Sequence, residues 1–456
     1  MKFILIRTAV FSLLFTNCFL FALGQKALPT KAQQRWADAE IGAMFHFDLQ
    51  VFEPTYKWRE NFDYHPDLSI FNPEELDTDQ WIRAAKAAGA TYAVLVAKHC
   101  SGFSLWPTKA HPYSVKNTPW KNGKGDIVRD FIASCKKYGI KPGIYASVSA
   151  NAYFKVDNPG LVISRNPEEQ EKYKQVVQTQ LTELWSQYGK LFEVWFDGGV
   201  LPPEKGGVDI PALFKKYQPE AIAFQGPFGY SNNIRWVGNE SGVAPYPCWA
   251  TADSTTSATG DIKIQGLNGN PSGEFWCPGE ADFALRKWTK EKPAFQGGWF
   301  WHEGEEDRIR TLDDMMNRYI ETVGRNTNML IGIVVDTSGL VPDADTRSLE
   351  AFGQEVKKRF SVPLGSVAGK GTLFTINFKS PRQVNYIIIK EDIAKGERIR
   401  EYNLYGMENG KWKFLSKGSC VGHKRIEVLH GKVYSSVKFE ITQSEGEPDI
   451  QSVVCF

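Results

Sequence analysis

Between residues 29 and 360 the chain alternates short apolar runs with longer segments that carry helix signals. The runs predicted as strands are 92–97, 142–146, 192–196, 221–224, 234–237, 299–301 and 329–335, and a further strand is predicted to end at His46. Runs this continuously apolar are typical of parallel strands, which are buried on both faces. About seven such units in one segment favour an α/β fold of the (β/α)8-like, TIM-type barrel class over an open sheet.

The segments between the runs contain recognisable helix boundaries. Asn-Pro-Glu-Glu stretches at Asn72 and Asn166 each predict a helix start, because Asn is a good N-cap and Pro fits the first helical position. Gly89 and Gly189 mark the ends of these two helices, and a third helix is predicted over 126–138. No glycine-rich phosphate loop follows any strand, which argues against a dinucleotide enzyme.

The pattern changes after residue 360. A linker is predicted at 361–365, and the runs that follow it read as short strands separated by Gly-rich or polar turns: 372–378, 386–390, 402–405, 425–429 and 435–441. We therefore predict a catalytic barrel domain over 25–360 and a C-terminal antiparallel β-sandwich domain over 361–456.

Composition excludes several classes of protein. In 456 residues, 42% are hydrophobic and 23% charged, which are ordinary globular values and exclude a disordered or fibrous chain. The net charge of +2 with no basic stripe gives no indication of a nucleic-acid partner. Aromatic residues reach 13%, which fits rings that pack on sugar faces as well as it fits a large core.

The first 24 residues have the pattern of a cleaved signal peptide. Lys2 and Arg7 precede an uncharged, mostly apolar run over 8–23 that ends in Ala22-Leu23-Gly24. We predict an exported protein, periplasmic or secreted, with no transmembrane segment in the mature chain. Anchoring as a lipoprotein through Cys18 is less favoured, because residues 15–17 make a poor lipobox. The other six cysteines form no CxxC and are predicted to be mostly buried thiols, and the histidines form no HExxH, so no zinc site is predicted.

Residues that follow the predicted strands are the candidates for chemistry, because a barrel places its active site at the carboxyl ends of its strands. His46, His99, Tyr145, Asp197 and Glu240 occupy such positions, as does His302. Each histidine could also be a satisfied core residue, and each acid a loop residue. Two acids beside aromatic rings are what glycoside hydrolysis requires, one to attack or stabilise the anomeric carbon and one to protonate the leaving oxygen.

Several motifs resemble those of the α-L-fucosidases of glycoside hydrolase family 29. The stretches that match are Gly42 to Phe47, Ala97 to Lys109 with its Lys-His and Leu-Trp-Pro elements, Tyr113-Ser-Val, Gly125-Asp126-Ile-Val, Gly139 to Tyr145, and Trp195-Phe-Asp197-Gly. The resemblance covers the barrel nearly end to end, and the family also leads one to expect the C-terminal β-sandwich.

The resemblance implies a retaining exo-glycosidase for terminal α-L-fucose in glycans, with no cofactor or metal. Asp197 matches the nucleophile of the family. The stretch from Arg235 to Glu240 resembles the subfamily that prefers α-1,3/1,4-linked fucose, so Glu240 is the expected acid/base, with Glu280 as the competing candidate. The remaining residues expected to bind substrate are His46, His99, Trp106, Tyr145, Trp195, Glu280 and Trp299.

Two departures from the family pattern affect the sugar specificity. Cys100 stands where many members have a second histidine, with Ser101 where Asp often stands, and Lys57 precedes Trp58 where a Glu-Trp pair is common. Two alternatives stay open. One is an exo-glycosidase for an L-galactose-like sugar, because a pocket for fucose differs only where C6 carries a methyl group, and the other is a non-catalytic glycan-binding protein, which Cys100 and the predicted β-sandwich favour.

Overall fold

Eight parallel strands close into a barrel in the computed structural model, which describes residues 27–256 and 262–456. They are β1 (Ile41–His46), β2 (Tyr92–Lys98), β3 (Lys141–Ala146), β4 (Glu193–Trp195), β5 (Ile222–Phe224), β6 (Asn233–Trp236), β7 (Gly279–Ala284) and β8 (Thr327–Val334). Each strand pairs with its neighbours in sequence, and β8 pairs in parallel with β1 to close the ring. The predicted barrel fold is confirmed.

The helices described are α1 (Lys31–Ala37), α2 (Thr78–Ala87), α3 (Ile127–Tyr138), α4 (Pro167–Gln187), α5 (Ile210–Tyr217), α6 (Leu312–Glu321) and α7 (Asp343–Phe360). The predicted starts of α3 and α4 are confirmed, with Asp126 and Asn166 accepting hydrogen bonds from backbone N–H groups of the first turn. The helix start predicted at Asn72 is wrong. Asp77 is the N-cap of α2 instead, and its side chain accepts from the backbone N–H of Asp79 at 2.8 Å.

The strand predicted at 299–301 is also wrong, and the barrel strand that the apolar pattern missed is β7. Gly297 and Gly298 have positive φ angles and place Trp299 directly after the 3-10 turn Phe295–Gly298. Strand β7 escaped prediction because it carries Glu280 and Asp282 at alternate positions, which interrupts the apolar run. Both carboxyl groups are nevertheless buried.

The C-terminal part of the chain forms a six-stranded antiparallel sheet. Its strands are β9 (Gly365–Lys370), β10 (Leu373–Glu391), β11 (Ile399–Glu408), β12 (Lys411–Gly418), β13 (Arg425–Ser444) and β14 (Asp449–Cys455), in the spatial order β9-β14-β10-β13-β11-β12. Four of the predicted runs merge in pairs, because 372–378 and 386–390 both belong to β10, and 425–429 and 435–441 both belong to β13. The sheet has a hydrophobic core of its own, which includes Val384, Leu404 and Phe439.

A large excursion separates β6 from β7 and lies beside the barrel mouth. It contains a three-stranded antiparallel sheet built from Thr251–Thr256, Ile262–Gln265 and Phe275–Trp276. A smaller hairpin, Val156–Asp157 with Leu161–Val162, follows β3. Both excursions leave the carboxyl-terminal side of a barrel strand, so they shape the surroundings of the predicted site.

The predicted export signal, residues 1–24, lies outside the described residues together with Cys18, so export stays a prediction. Within the ranges 27–256 and 262–456 no helix combines the length and the apolar character needed to span a bilayer. The six cysteines of these ranges are free and buried, as predicted.

Candidate active site

The carboxyl ends of the first four strands bring the predicted residues to one pocket. His46 is the last residue of β1, His99 directly follows β2, Tyr145 lies in β3, and Asp197 follows β4 by two positions. The His99 ring centroid lies 6.0 Å from those of His46 and Tyr145. The Tyr145 hydroxyl donates a hydrogen bond to Asp197 Oδ2 at 3.2 Å. These four predicted residues therefore form one continuous set of polar groups.

The Asp197 side chain is fixed by the tight turn that follows β4. The Ser149 hydroxyl donates to the carbonyl oxygen of Asp197 at 2.5 Å. Gly198 has a φ of +72°, and a Cβ at that position would lie 2.5 Å from Asn158 Nδ2. Only glycine fits both the left-handed backbone and the close contact. The Asp-Gly pair noted in the sequence thus has a physical cause, since the turn must bend sharply to present the carboxylate.

The Asp197 carboxylate is both surrounded by protein and open to water, because it lies in a concave pocket. Desolvation raises its pKa above the usual range, the hydrogen bond from Tyr145 lowers it, and the negative charge of Glu240 raises it. The influence of Glu240 shows that the two acids share one electrostatic environment. The backbone N–H of Gly198 and the charge of Arg59 lower the pKa of Asp197 as well. A carboxylate that is held by these groups and still exposed to solvent can attack a bound ligand.

Glu240 lies on the loop after β6 and faces the same pocket. Its side chain is exposed, and Trp299 Nε1 donates to Glu240 Oε2 at 3.1 Å. Asn239 and Glu240 have φ angles of +47° and +57°, a left-handed conformation that side-chain-bearing residues adopt at a cost of about 1–3 kcal/mol. Strain of this kind is typical of sites where a side chain must be aimed at a ligand.

Both pocket histidines are held neutral. Burial lowers the pKa of His99 to about 3, with a further contribution from the charge of Lys98, and burial next to the His99 ring lowers the pKa of His46 well below its ordinary value. Nδ1 of each ring is buried without a hydrogen-bond partner. Trp299 packs against His46 with ring centroids 5.0 Å apart and closes the pocket on that side. Neutral imidazoles beside a half-buried indole are suited to binding sugar hydroxyls rather than anions.

The structure contradicts a substrate contact, and therefore an acid/base role, for Glu280. This residue is fully buried in the barrel interior, at the second position of β7. Its carboxylate accepts hydrogen bonds from the Tyr92 hydroxyl at 2.6 Å and from Trp195 Nε1 at 2.8 Å. Two partners within the barrel occupy both oxygens, so Glu280 supports the strands beneath the pocket.

The structure places two of the predicted tryptophans largely within the protein. Trp106 is 1% exposed and its Nε1 donates to Glu183 Oε2 at 2.9 Å, within the core outside the barrel. Trp195 is 6% exposed and stacks on Phe224 with centroids 3.6 Å apart. Both rings are occupied by protein neighbours, so they brace the site from behind. Trp299 is the predicted tryptophan that remains at the pocket surface, whereas His302 contacts the Phe295 ring on the turn before it.

Asp282 is a buried acid that the sequence interpretation did not single out as a site residue. It accepts a hydrogen bond from Trp236 Nε1 at 2.5 Å, and burial raises its pKa to about 8. The charges of Glu240 and Glu280 contribute to that increase, so Asp282 lies between the pocket and the barrel interior. The alternation Glu280-Ala-Asp282 was the signal for two side chains on the same inward face of a strand.

A cleft of about 970 Å³ opens beside the pocket. It shares Gly198, Gly199 and Trp236 with the surroundings of Asp197, and its walls are mostly apolar, with contributions from Leu201, Phe228, Ile262 and Ile264. Lys263 reaches over the turn, with its Nζ 3.6 Å from where a Cβ on Gly199 would lie. The cleft is large enough for several sugar rings, and it leads away from the nucleophile candidate.

Among the described residues, one trio of side chains has the composition of a metal site. Ligand atoms of His99, Cys100 and Asp197 lie within 4.8 Å of one another.

Comparisons with known proteins identify similar chains. The family model described as alpha-L-fucosidase matches residues 23–359. Alpha-L-fucosidase 1 of Arabidopsis thaliana is 28% identical over 92% of this chain and 86% of its own length. A crystal structure of a candidate α-L-fucosidase of Bacteroides thetaiotaomicron is 37% identical, with a TM-score of 0.86 over 94% of this chain and 99% of that chain. A Ruminococcus gnavus GH29 fucosidase in complex with fucose shares the fold, with 22% identity and a TM-score of 0.79 over 95% of each chain.

Proposed function

The chain belongs to the α-L-fucosidase family of glycoside hydrolases, and we propose that it is a retaining exo-enzyme that releases terminal α-1,3/1,4-linked L-fucose from branched glycans. The observation that carries the proposal is a chain of contacts that joins Asp197 to Glu240 through the pocket. Tyr145 donates to Asp197, and its ring lies beside that of His99, which lies beside that of His46. Trp299 packs on His46 and donates to Glu240. The imidazoles of His46 and His99 that line the pocket are neutral, which suits a hydroxyl-rich ligand without charge.

In the first step the Asp197 carboxylate attacks the anomeric carbon of the fucoside. Tyr145 holds the carboxylate through its hydroxyl, and the Ser149 bond fixes the backbone of the same residue. Glu240, protonated, gives its proton to the departing glycosidic oxygen. The bond from the anomeric carbon to that oxygen breaks as the bond to Asp197 forms, so a covalent fucosyl-enzyme results.

In the second step Glu240, now a carboxylate, removes a proton from water. The water attacks the anomeric carbon, the ester bond to Asp197 breaks, and fucose leaves with its original anomeric configuration. Two inversions at the same carbon give net retention. Trp299, which donates to Glu240, keeps that side chain at the pocket during both steps.

The apolar cleft supports a branched aglycone. It begins at the Gly198–Gly199 turn directly after Asp197 and at Trp236 on the strand before Glu240, and its volume of about 970 Å³ accommodates the remaining sugars of a branched oligosaccharide. Sugar rings present C–H faces that pack on apolar walls such as Phe228 and Ile264. A small aryl glycoside would leave most of this surface uncovered.

The test compares two substrates on the same enzyme: a Lewis-type fucosylated trisaccharide and 4-nitrophenyl α-L-fucoside. We expect kcat/KM to be higher for the trisaccharide, because the cleft contributes binding energy that the aryl group cannot use. Comparable rates on both substrates would contradict the proposed linkage preference. An L-galactoside hydrolysed faster than the fucoside would contradict fucose as the glycone.

Phe228 offers a smaller, local test of the cleft. Replacing it by Ala should lower kcat/KM for the trisaccharide by about three- to tenfold, since about 1 kcal/mol of apolar contact is lost, and leave the aryl fucoside unchanged. Phe414→Ala, which removes an exposed aromatic ring from the C-terminal sheet, is the matched control and should change neither rate. Equal losses on both substrates for Phe228→Ala would show that the ring serves the fold rather than the aglycone.

A further inference from the structure

We propose that His99, Cys100 and Asp197 form a binding site for a thiophilic divalent cation, with Zn²⁺ as the best fit, and that the bound cation and the fucosyl substrate exclude each other. The metal site stands on its own geometry; the exclusion rests on the proposed function, because it assigns Asp197 to the reaction. The ligand set combines a nitrogen, a sulfur and an oxygen donor, which is the range of donors that zinc accepts.

The geometry of the three donors is close to that of a zinc site. Their ligand atoms lie within 4.8 Å of one another, although His99 and Cys100 follow β2 while Asp197 follows β4. In a tetrahedral zinc site with bonds of about 2.0–2.3 Å, neighbouring donors lie about 3.5 Å apart. The three side chains therefore need to approach one another by about an ångström, which a rotamer adjustment supplies.

The donors are available for coordination. His99 Nδ1 is buried with no hydrogen-bond partner, which is an unsatisfied polar atom that a ligand would relieve. The Cys100 thiol makes one long contact, 3.8 Å from Sγ to the Ser147 hydroxyl, and is otherwise enclosed. Asp197 accepts from Tyr145 at 3.2 Å and is open to water on its other side. The open side of Asp197 is also the route by which a hydrated cation enters.

Charge balance favours a divalent cation at this position. Binding requires the Cys100 thiol to lose its proton to solvent, and a thiolate together with the Asp197 carboxylate then neutralises the two charges of the metal.

Occupation of this site is incompatible with the proposed reaction. A cation on Asp197 withdraws the electron pair that attacks the anomeric carbon, and a cation on His99 removes a donor that holds the sugar hydroxyls. The metal therefore acts as a reversible competitive inhibitor.

Cobalt(II) is the spectroscopic probe for the site, because a thiolate bound to Co²⁺ gives an absorption band that nitrogen and oxygen ligands do not. The full chain, freed of metal by a chelator, is titrated with Co²⁺ alone and then with Zn²⁺. The variants are Cys100→Ala and the matched control Cys135→Ala, which removes a buried thiol from α3, far from the trio in sequence.

We expect the parent protein and Cys135→Ala to bind one Co²⁺ with a thiolate band that Zn²⁺ abolishes, and Cys100→Ala to show no such band. Zinc should raise the apparent KM of the parent for fucoside without lowering kcat, a chelator should reverse the effect, and Cys100→Ala should need at least tenfold more zinc. A thiolate band that persists in Cys100→Ala, or the absence of a band in the parent, would overturn the proposal.

Asp197→Asn provides a second test that does not depend on Cys100→Ala folding. An amide is a poor zinc ligand, so this variant should bind Co²⁺ at least tenfold more weakly while its thiol stays in place; unchanged binding would overturn the proposed ligand set. Cobalt binding needs no turnover, so it reports on the metal site even if the parent releases no fucose. Failure of the proposed function and failure of the metal proposal therefore give different results.

Discussion

Two groups of carboxylates, one at the mouth of the barrel and one in its interior, show how position decides the role of the same chemical group. Asp197 and Glu240 lie on loops at the carboxyl ends of β4 and β6 and are open to solvent. Glu193, Glu280 and Asp282 point into the barrel from β4 and β7 and are buried. All five are carboxyl groups carried by the barrel strands or by the loops after them, yet the mouth group and the interior group have different hydrogen-bond partners.

The interior acids are occupied by tryptophan and tyrosine donors. Trp36 Nε1 donates to Glu193 at 3.1 Å, Trp195 and Tyr92 donate to Glu280, and Trp236 donates to Asp282. Desolvation raises the pKa of each of these acids, to about 8 for Asp282, and the charge of Glu280 raises the pKa of Glu193 further, so the interior group retains protons near neutrality. The interior acids thus accept hydrogen bonds from aromatic side chains and hold them in place, whereas the acids at the mouth have oxygen atoms available to a ligand.

Removing the proposed nucleophile, Asp197, should give the largest effect on activity. Asp197→Asn keeps the shape of the side chain but not its negative charge, so kcat for fucoside hydrolysis should fall by at least about 10³-fold. The fold should be retained, as checked by circular dichroism, because the side chain is open to solvent. Activity within tenfold of the parent would contradict the assignment of Asp197 as the nucleophile.

Glu240→Gln should separate the two substrates by their leaving groups. The sugar oxygen of a trisaccharide needs a proton in order to depart, whereas 4-nitrophenolate does not. We expect kcat/KM to fall by about 10²–10³-fold for the trisaccharide and by much less for 4-nitrophenyl α-L-fucoside. Equal losses on the two substrates would remove Glu240 from the acid/base role.

The corresponding change in the interior should act on stability instead. Glu280→Gln turns one acceptor oxygen into an amide donor that faces Tyr92 or Trp195, so the free energy of unfolding in urea should fall by about 1–3 kcal/mol. The ratio of the kcat/KM values for the two substrates should match that of the parent. A loss confined to the trisaccharide would instead restore Glu280 as an acid/base and erase the distinction between mouth and interior.

Asp282→Asn tests the interior group through the pH dependence of its stability. The pKa of Asp282 is raised to about 8, whereas an aspartate in the unfolded chain ionises near pH 3.9. Between these values the folded protein holds a proton that the unfolded chain has lost, so this group's contribution to stability falls as the pH rises. The Tm of the parent should therefore fall relative to that of Asp282→Asn between pH 5 and about pH 8. Parallel Tm curves would show that Asp282 is ionised throughout this range.

The strand-end residues could be predicted from sequence because each one ends a continuous apolar run. The barrel topology places four of them at the expected strand ends: His46, His99, Tyr145 and Asp197. Gly198 indicated the tight turn that follows Asp197. A parallel strand buried on both faces leaves an unambiguous pattern, and the barrel fixes which end carries the chemistry.

The interior could not be predicted in this way, because its pattern breaks the rule that apolar residues fill a core. Strand β7 carries two acids on its inward face, so it did not look like a strand. Trp299 and Trp301 looked like a strand but follow a glycine turn that folds over His46. The residues next to Trp106 in the sequence do not reveal whether its ring packs on sugar or on protein, because its partner Glu183 is 77 residues away in the chain.

The proposed covalent mechanism is tested most directly by trapping the intermediate with 2-deoxy-2-fluoro-L-fucosyl fluoride and locating the label by peptide mass spectrometry. Fluoride departs without help from an acid, and the 2-fluoro group slows the second step, so the fucosyl-enzyme accumulates. We predict one label per chain, on Asp197. A label on Glu240 or on an interior acid, or turnover of the fluoride with no labelled peptide, would contradict it.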